Sequence, residues 1–348
     1  MKVERALNVE DLRRIAAHRL PRVVYHYIQG GAEEHATLRA NREVFEAIRF
    51  APRTLVDISR RSQNVALYGR VYDSPLGIAP LGAAELFWED GELALARETA
   101  RNLVRRAFDA GCEALILTVD VPVNGNREYN QRNGFGQSLF ACPYKVLDAL
   151  RHPRWLAHVF ARAWWTRKKA VKLPHWSTQR DHMSWEDFDW LRDTWPRKLL
   201  IKGVLCVEDA QLAAAHGADG IVVSNHGGRQ LDGAPSSMEV LPSIAAAVGE
   251  RLVVAVDSGF RRGSDIVKAL ALGADMVFLG RAAAYGLAAG GENGVRHALH
   301  LLRGEIDRVL ALLGCPSVDE LGPQFVRSAA KELVAQPPLP PVARLRVV

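Results

Sequence analysis

The sequence predicts an α/β fold of the (β/α)8 TIM-barrel type, with about six recognisable barrel strands and an N-terminal helical segment. From residue 76 onward, short β-branched runs alternate with amphipathic helices. Both the odd and the even positions of these runs are apolar, which is typical of strands in a parallel sheet that is covered on both faces. Several runs also end in a polar or charged residue, and the carboxyl ends of barrel strands open onto one active-site face.

The opening segment, residues 8–50, has helical character. NVEDLRRIAAH is predicted to be N-capped at Asn8, and PRVVYHYIQGGAEEHATL keeps helical spacing until Gly30 and Gly31 end it. The six strand-like runs follow in the order LGIAP (76–80), ALILTVD (114–120), KLLIKGV (198–204), GIVVSNH (220–226), LVVAVDSG (252–259) and MVFLGR (276–281). Helices such as CVEDAQLAAAHGA and RRGSDIVKALALGA lie between them.

The number of strands is two short of a closed barrel. A single helix, GELALARETARNLVRRAFDAG (91–111), separates the first run from the second. A doubly wound open sheet is the alternative architecture. It normally carries a glycine fingerprint after its first strand, and LGIAPLGAAE is not one, so the barrel is favoured.

Composition excludes several classes of protein. The 348 residues suit one large α/β domain or two small ones. The cysteines show neither a CxxC pair nor metal-ligand spacing with histidine, so we expect no metal site and a reduced, cytoplasmic compartment. No apolar run approaches the length of a membrane-spanning helix, and the N-terminus lacks the hydrophobic core of a signal peptide.

The positive charge is concentrated in one segment. The net charge is +6, yet residues 151–180 alone hold eight Lys and Arg, no acid and four of the eight tryptophans. A basic, Trp-rich segment is typical of contact with an anionic membrane surface. The alternative is an insertion whose aromatic side chains cover the protein's own core. No recognition module accompanies the charge, so we expect no binding of nucleic acid.

Two Gly/Arg turns follow the last two strands, in GFRRGSDIVKALALGA (259–274) and VFLGRA (277–282). Backbone amides at a helix N-terminus, together with an arginine, can bind a phosphate, and TIM barrels often hold one at these two loops. The alternative is a pair of ordinary capped turns. Two such turns in consecutive units favour phosphate.

Five residues near strand ends carry further chemistry. Lys202 either lies at the end of a rim strand and extends its ammonium group to solvent, or it is a cation facing an electron-rich ligand. Asp120 is either a helix cap or a carboxylate paired with a cation. His226 can act as a base near neutral pH, with Asp120 orienting it. Arg229 and Arg127 have the fork geometry that binds a carboxylate, so the combination predicts an active site.

The stretch SNHGGRQLDGAP (224–235) resembles the active-site signature of the FMN-dependent α-hydroxy acid dehydrogenase/oxidase family, which includes glycolate oxidase, L-lactate dehydrogenase and mandelate dehydrogenase. The resemblance covers nearly the whole chain. It extends through LPRVVYHYIQGGAEEHATLRANREVF, LGIAPLGAAELFWEDGELALAR, LILTVDVPVNGNRE, LLIKGV, VDSGFRRGSDIVKALALGADMVFLGR and GEIDRVLALLGC. It implies a TIM barrel with FMN at its mouth.

The resemblance also implies a role for each matching residue. His226 is the base that accepts a proton as the substrate C2 is oxidised, and Asp120 stabilises its imidazolium. Arg229 and Arg127 bind the substrate carboxylate, assisted by the Tyr27 hydroxyl. The implied FMN contacts are Pro80, Leu81 and Gly82 on the isoalloxazine, Lys202 at its N1/C2 carbonyl, Thr118 and Ser224 at its polar atoms, and Asp257, Ser258, Gly259, Phe260, Arg261, Gly280 and Arg281 at the ribityl chain and phosphate.

The sequence departs from the family where GELALARETAR runs directly into NLVRRAFDAG. The resemblance implies barrel strands two and three at this point, which in family members supply a serine and a glutamine to the flavin and a tyrosine to the active site. At about 30 residues per βα unit, their absence accounts for the six strands counted above. Either the barrel recloses, or another chain fills the gap, or the site is impaired.

The predicted function is FMN-dependent oxidation of an L-2-hydroxy acid, with electrons passed to a quinone, a cytochrome or oxygen. Gly82 resembles the dehydrogenases more than the oxidases, which commonly carry alanine there. The alternatives are a degenerate homologue without turnover and a different flavin barrel, such as an isomerase. We expect a homo-oligomer, peripheral on the inner face of the membrane if the basic segment binds lipid.

The predicted organisation is a single domain over residues 1–348. It comprises an N-terminal helical segment (1–75), a barrel (76–330) with the basic insertion at 143–190, and a C-terminal tail (331–348).

Overall fold

The computed structural model describes residues 2–82, 104, 107–135, 143–157 and 183–328. Three predicted features lie wholly or largely outside these residues. They are the C-terminal tail 331–348, most of the helix at 91–111 and most of the Trp-rich segment 151–180.

Three helices form the N-terminal segment, α1 (Val9–Arg19), α2 (Arg22–Gln29) and α3 (Ala36–Ala47). The predicted N-cap is confirmed, because the Asn8 side chain accepts a hydrogen bond from the Asp11 amide at 2.9 Å. Helix α2 ends at Gly30, as its sequence pattern predicts. The prediction of helical structure to residue 50 is wrong at its end, since a short strand begins at Ile48.

Three strands before the barrel were not predicted. Strand β1 (Ile48–Phe50) pairs antiparallel with β10 (Val326–Ser328), and β2 (Val65–Leu67) forms a hairpin with β3 (Arg70–Tyr72). The hairpin turns through Tyr68 and Gly69, which both have positive φ, as a two-residue turn matching the strand twist requires. Each of these strands has three residues, which is too short for an alternating pattern to stand out.

The six predicted barrel strands are confirmed as one parallel sheet. They are β4 (Leu76–Ile78), β5 (Ala114–Thr118), β6 (Lys198–Val204), β7 (Gly220–Val223), β8 (Val253–Val256) and β9 (Met276–Leu279). The spatial order is β4-β9-β8-β7-β6-β5. The first strand therefore lies beside the last, as in a barrel, and all the remaining neighbours are consecutive.

Eight further helices are described around the sheet, with short 3-10 turns at Val3–Arg5, Val318–Glu320 and Pro323–Phe325. The helices are α4 (Glu128–Arg132), α5 (Pro143–Leu150), α6 (Pro153–Leu156), α7 (Trp185–Thr194), α8 (Val207–Ala215), α9 (Ser237–Val248), α10 (Gly263–Ala271) and α11 (Arg281–Leu313). Helix α11 has a kink at Gly290 and Gly291, and α1 packs against it. Among the residues described, no helix has the length and apolarity needed to cross a membrane.

The sheet does not close between β4 and β5, which are its two edges. Every residue of β7 is buried, whereas no residue of β5 is, and Ile78 at the end of β4 is 46% exposed. Of the outcomes expected for a barrel without strands two and three, reclosure is therefore excluded for the described chain. Within the described residues, no strand joins β4 to β5.

Candidate functional site

The polar residues predicted at strand ends meet on one face of the sheet, because parallel strands direct their carboxyl ends to the same side. His226 and Asp120 are 106 residues apart in sequence, yet His226 Nδ1 lies 3.0 Å from Asp120 Oδ1. A carboxylate only accepts hydrogen bonds, so Nδ1 carries the proton and Nε2 is the acceptor. This assigns the tautomer that a general base needs.

The backbone around this pair is shaped for close approach. His226 has φ 58°, in the left-handed region, and its amide donates to Ser224 Oγ at 3.1 Å. Gly203 has φ 113° and lies where the register of β6 and β7 shifts. A Cβ on Gly203 would be 2.5 Å from the Asp120 Cβ, so only glycine leaves room for this carboxylate.

Two arginines lie next to this pair. Arg229 Nη1 donates to the carbonyls of Tyr27 at 2.7 Å and Gly30 at 2.9 Å, and its guanidinium lies 4.7 Å from the centre of the Tyr27 ring. Arg127 Nε donates to the Arg229 carbonyl at 3.1 Å. Burial, and secondarily the charge of Arg229, lower the pKa of Arg127 to about 10. Among the described residues, no carboxylate forms an ion pair with either arginine.

The predicted residue Tyr27 is buried in the same place. Its ring stacks on Phe135 with centroids 4.1 Å apart, and it packs beneath the Arg229 cation. Helix α2 therefore delivers Tyr27 from the N-terminal segment to the face of the sheet where His226 lies. The structure brings together all five residues predicted to act on the substrate.

A second polar network links the ends of β6, β7 and β8. Lys202 is 3% exposed, and its Nζ donates to Ser224 Oγ at 2.7 Å and lies 3.2 Å from Asp257 Oδ2. Ser258 Oγ donates to Asp257 Oδ1 at 2.8 Å and accepts from the Gly227 amide at 3.0 Å. A buried ammonium is costly unless it is paired in this way, and the network holds Lys202 on the inner face of the sheet.

Two more arginines follow β8 and β9. Burial lowers the pKa of Arg261, and it lowers that of Arg281 to about 9, with the Arg229 charge as the next cause. Arg281 donates to the carbonyls of Ile28, Gly227 and Gly30, each at 2.8 Å. No ion pair with a carboxylate is described for either arginine. Buried cations that form no ion pair with a described carboxylate are suited to an anionic ligand.

The N-terminus of α11 adds backbone donors to these arginines. Its N-cap is Gly280, which has no side chain to accept from the first amides of the helix, and no described atom lies within 4 Å of the position a Cβ would take there. At α10 the first helix amide is already satisfied, because Glu305 Oε2 accepts from the Gly263 amide at 2.6 Å, and Asp265 Oδ2 accepts from the two amides before it. An anion would therefore meet free helix amides at Gly280.

The remaining predicted flavin residues border the open wall. Pro80 and Gly82 follow β4 and are exposed, while Leu81 is half-buried. Thr118 ends β5 and pairs in register with Lys202 of β6. Phe260 is buried against Phe45, and Gly259 approaches Asn41 so closely that a Cβ would lie 2.0 Å from its carbonyl oxygen.

Three polar side chains that help to build this face were given no role on the basis of the sequence. Asn41 and Asn225 exchange two side-chain hydrogen bonds of 2.9 and 2.7 Å, which fasten α3 to the loop after β7. Gln230, in that loop, bonds to the loop after β5. Gln230 stands directly after Arg229 in the quoted signature, but nothing in its identity indicates partners more than 100 residues away.

Comparison with known proteins gives consistent results. The family model described as FMN-dependent dehydrogenase matches residues 16–102 and 96–328. The chain is 42% identical to (S)-mandelate dehydrogenase of Pseudomonas putida, over 92% of this chain and 94% of that protein. It is 36% identical to a putative L-lactate dehydrogenase of Mycobacterium tuberculosis, over 92% and 89% respectively.

Solved structures agree with this result. A crystal structure of the monotopic membrane protein (S)-mandelate dehydrogenase matches with a TM-score of 0.84 and 41% identity, over 93% of this chain and 100% of that chain. A mandelate oxidase structure with (S)-2-phenylpropionate matches with a TM-score of 0.76 and 33% identity, over 92% and 98%.

The comparisons also locate the missing part of the barrel. The two matches to the family model meet at residues 96–102, between β4 and β5. The alignment to the Pseudomonas putida protein spans 372 positions but includes only 92% of the 348 residues, so about fifty positions have no counterpart here. That is about one and a half βα units, which agrees with the absence of two strands.

Proposed function

This chain belongs to the FMN-dependent dehydrogenase family, and we propose that it oxidises an L-2-hydroxy acid to the 2-keto acid with His226 as the base. Relatives are named as mandelate and lactate dehydrogenases and as (S)-2-hydroxyacid oxidases. The single observation that carries the assignment of the base is the 3.0 Å contact of His226 with Asp120, next to two arginines. A base beside a carboxylate anchor is what a small hydroxy acid requires.

The described residues fit FMN at two of its ends. Arg261, Arg281 and the helix amides that follow Gly280 supply cations and N–H donors suited to the phosphate. Lys202 is a buried cation suited to the electron-rich edge of the ring, with Thr118 and Ser224 beside it. When bound, FMN supplies the acceptor for the two electrons that leave the substrate C2.

The protein's own residues bind the substrate and move one proton. Arg127 and Arg229 hold the carboxylate and orient C2 towards His226. As C2 is oxidised, Nε2 of His226 accepts a proton from the substrate, and Asp120 stabilises the resulting imidazolium through Nδ1. The ring of Tyr27 supports the Arg229 cation from below. The remaining predicted contacts, from Pro80 to Gly82 and from Asp257 to Phe260, are proposed on the resemblance.

The test is reconstitution followed by reduction without oxygen. Purified protein is expected to be yellow or to become so with added FMN at one equivalent per chain. Bound flavin should then lose its absorbance when L-lactate or (S)-mandelate is added anaerobically. A protein that FMN cannot reconstitute contradicts the dehydrogenase assignment.

The open wall favours a second candidate, a degenerate family member that binds FMN weakly and does not turn over. Strands β4 and β5 leave two edges, and Pro80 and Gly82 are exposed where the isoalloxazine is expected. Weak flavin binding together with no reduction by any 2-hydroxy acid would support this candidate. Stoichiometric flavin and rapid reduction would exclude it.

We also propose that the enzyme passes electrons to a quinone or cytochrome and binds the membrane peripherally through residues 151–180. The support is the basic, Trp-rich composition and the similarity to a monotopic membrane enzyme. At Trp155 the alternative is favoured, namely that aromatic side chains of this segment cover the protein's own core, because this side chain is 7% exposed and packs in the core. The variant Lys168→Glu/Lys169→Glu should sediment less with anionic vesicles, and wild-type protein that fails to sediment would exclude the idea.

A homo-oligomer and a single domain over residues 1–348 remain part of the proposal. Light scattering on the FMN-loaded protein tests the first, and limited proteolysis tests the second. A monomeric mass would contradict the homo-oligomer.

A further inference from the structure

We propose that Gln230 is a positioning residue that sets the placement of the carboxylate-binding arginines, a proposal that rests on the function proposed above. It lies in the loop after β7, directly after Arg229, and reaches across to the loop after β5, which carries Asp120 and Arg127. These two loops carry the proposed base, its carboxylate partner and both arginines. Their relative position therefore decides whether the substrate carboxylate and His226 are correctly spaced.

One carboxamide makes four contacts across the two loops. Its Nε2 donates to the carbonyls of Asp120 and Val123, each at 2.9 Å. Its Oε1 accepts from Arg127 Nη2 at 2.9 Å and from the Gly125 amide at 3.2 Å. Both donors and both lone pairs of the amide are used. All four partners belong to the loop after β5, so the side chain of Gln230 joins the loop after β7 to the loop after β5.

The backbones of the two loops approach as closely as glycine allows. A Cβ added to Gly125 would lie 2.5 Å from the Arg229 carbonyl oxygen and 2.8 Å from the Gln230 Cα. The side chain of Arg127 is consequently held at two points, through Nε to the Arg229 carbonyl and through Nη2 to Gln230. The remaining N–H groups of its guanidinium keep a defined direction for the substrate.

The lack of charge on Gln230 is as important for the proposed role as its hydrogen bonds to the loop after β5. Arg127 and Arg229 lie close enough for the charge of one to lower the pKa of the other, and no described carboxylate pairs with either. A carboxamide can hold Arg127 without neutralising it. A glutamate in the same place would pair with Arg127, compete with the substrate carboxylate and face the carbonyls of Asp120 and Val123 with no donor.

The experiment compares Gln230→Met and Gln230→Glu with wild type as FMN-loaded protein. Gln63→Met is the matched control, because Gln63 also uses both ends of its amide, accepting from Ser74 and donating to the Arg303 carbonyl, in another part of the fold. Oxalate, an unreactive carboxylate, is titrated by calorimetry, and KM and kcat are measured for L-lactate and (S)-mandelate.

In Gln230→Met, the Kd for oxalate and the KM are expected to rise about tenfold or more, the range for a lost hydrogen bond to a charged group. In Gln230→Glu they should rise further. The kcat should change by less than about threefold in Gln230→Met, because the Ser224 hydroxyl still accepts from the His226 amide and His226 Nδ1 still contacts Asp120 Oδ1. In Gln63→Met, the Kd and KM should match wild type even if its melting temperature falls.

An oxalate Kd within about twofold of wild type in both Gln230 variants would overturn the proposal. If Gln230→Met does not fold, Gln230→Glu decides on the same criterion. Because oxalate binding is measured directly, wild type that binds oxalate without turnover counts only against the proposed function. Wild type that binds neither oxalate nor hydroxy acid overturns both.

Discussion

Strands β6 to β9 and strands β4 and β5 belong to one sheet but have different surroundings. Each strand of the first group, the closed wall, has a strand on both sides, and β7 is buried at every residue. Strands β4 and β5, the open edge, have one neighbour each, and no residue of either strand is fully buried. In a family defined by a closed barrel, such an edge exposes unpaired backbone groups.

The two parts of the sheet also differ in which proposed catalytic and binding residues they carry. The proposed base, the buried Lys202 network and the arginines after β8 and β9 all lie in or directly after strands of the closed wall. The open edge contributes Asp120 and Arg127, which contact His226 and Gln230 in the loop after β7, and the segment from Pro80 to Gly82. The residues proposed for proton transfer and carboxylate binding are thus present in the loops after β5 and β7, whereas part of the family's flavin site is expected on the missing strands.

The largest expected effect concerns the base. His226→Ala should slow the anaerobic reduction of bound flavin by a hydroxy acid about 10²- to 10⁴-fold, the usual contribution of a general base, while FMN stays bound. The matched control is His216→Ala, because His216 forms a similar pair with Asp189 at 2.6 Å at the opposite end of the sheet. Unchanged reduction in His226→Ala would exclude this residue as the base.

The next effect compares the closed wall with the open edge through the free energy of unfolding. Ile221 in β7 is fully buried, so Ile221→Ala should lower the free energy of unfolding by about 2–5 kcal/mol. Ile78→Ala at the open edge should cost about 0.5 kcal/mol or less, because the side chain is already 46% exposed. Urea unfolding measures both. Equal losses would mean that the edge at β4 is covered in solution.

A smaller effect is expected for the cofactor. Arg261→Met should raise the Kd for FMN about 10- to 100-fold, as the loss of a charge-assisted hydrogen bond to a phosphate does. Arg197→Met is the control, since Arg197 donates to the carbonyl of Cys112 at the other end of the sheet. Fluorescence quenching of FMN gives both constants. A Kd for Arg261→Met equal to that of the control would remove Arg261 from the phosphate site.

The smallest effect is a pH dependence of stability. Burial lowers the pKa of His35 below its ordinary value of 6.5, with Asp232 opposing and Arg281 and Arg39 adding to the shift. The unfolded chain therefore binds the proton first, so stability is full above about pH 6.5 and is lost as the pH falls. One proton limits the slope to about 1.4 kcal/mol per pH unit.

The variant His35→Asn removes this titration and tolerates the left-handed φ of 62° at this position. Chemical unfolding between pH 7 and 5.5 should show a shallower slope for the variant than for wild type. Identical slopes would assign the acid sensitivity to other groups.

Much of the candidate site was predictable because its residues stand at the ends of recognisable strands. His226, Asp120, Lys202 and Asp257 follow apolar runs, and parallel strands bring their carboxyl ends together. The short strands β1 to β3 were not predictable, since three residues carry no periodic signal. Nor were the partners of Gln230, which are 103 to 110 residues away along the chain.

By itself, the sequence determined the six strands, the caps of the first helices, the family and the position of the missing strands. These features depend on local periodicity, turn chemistry and motifs, which are properties of neighbouring residues. Only the tertiary structure decided that no described strand joins β4 to β5, that Arg281 binds three carbonyls and that Gln230 joins two loops. Such contacts arise when distant segments pack, and the side chain involved carries no local sign of its partner.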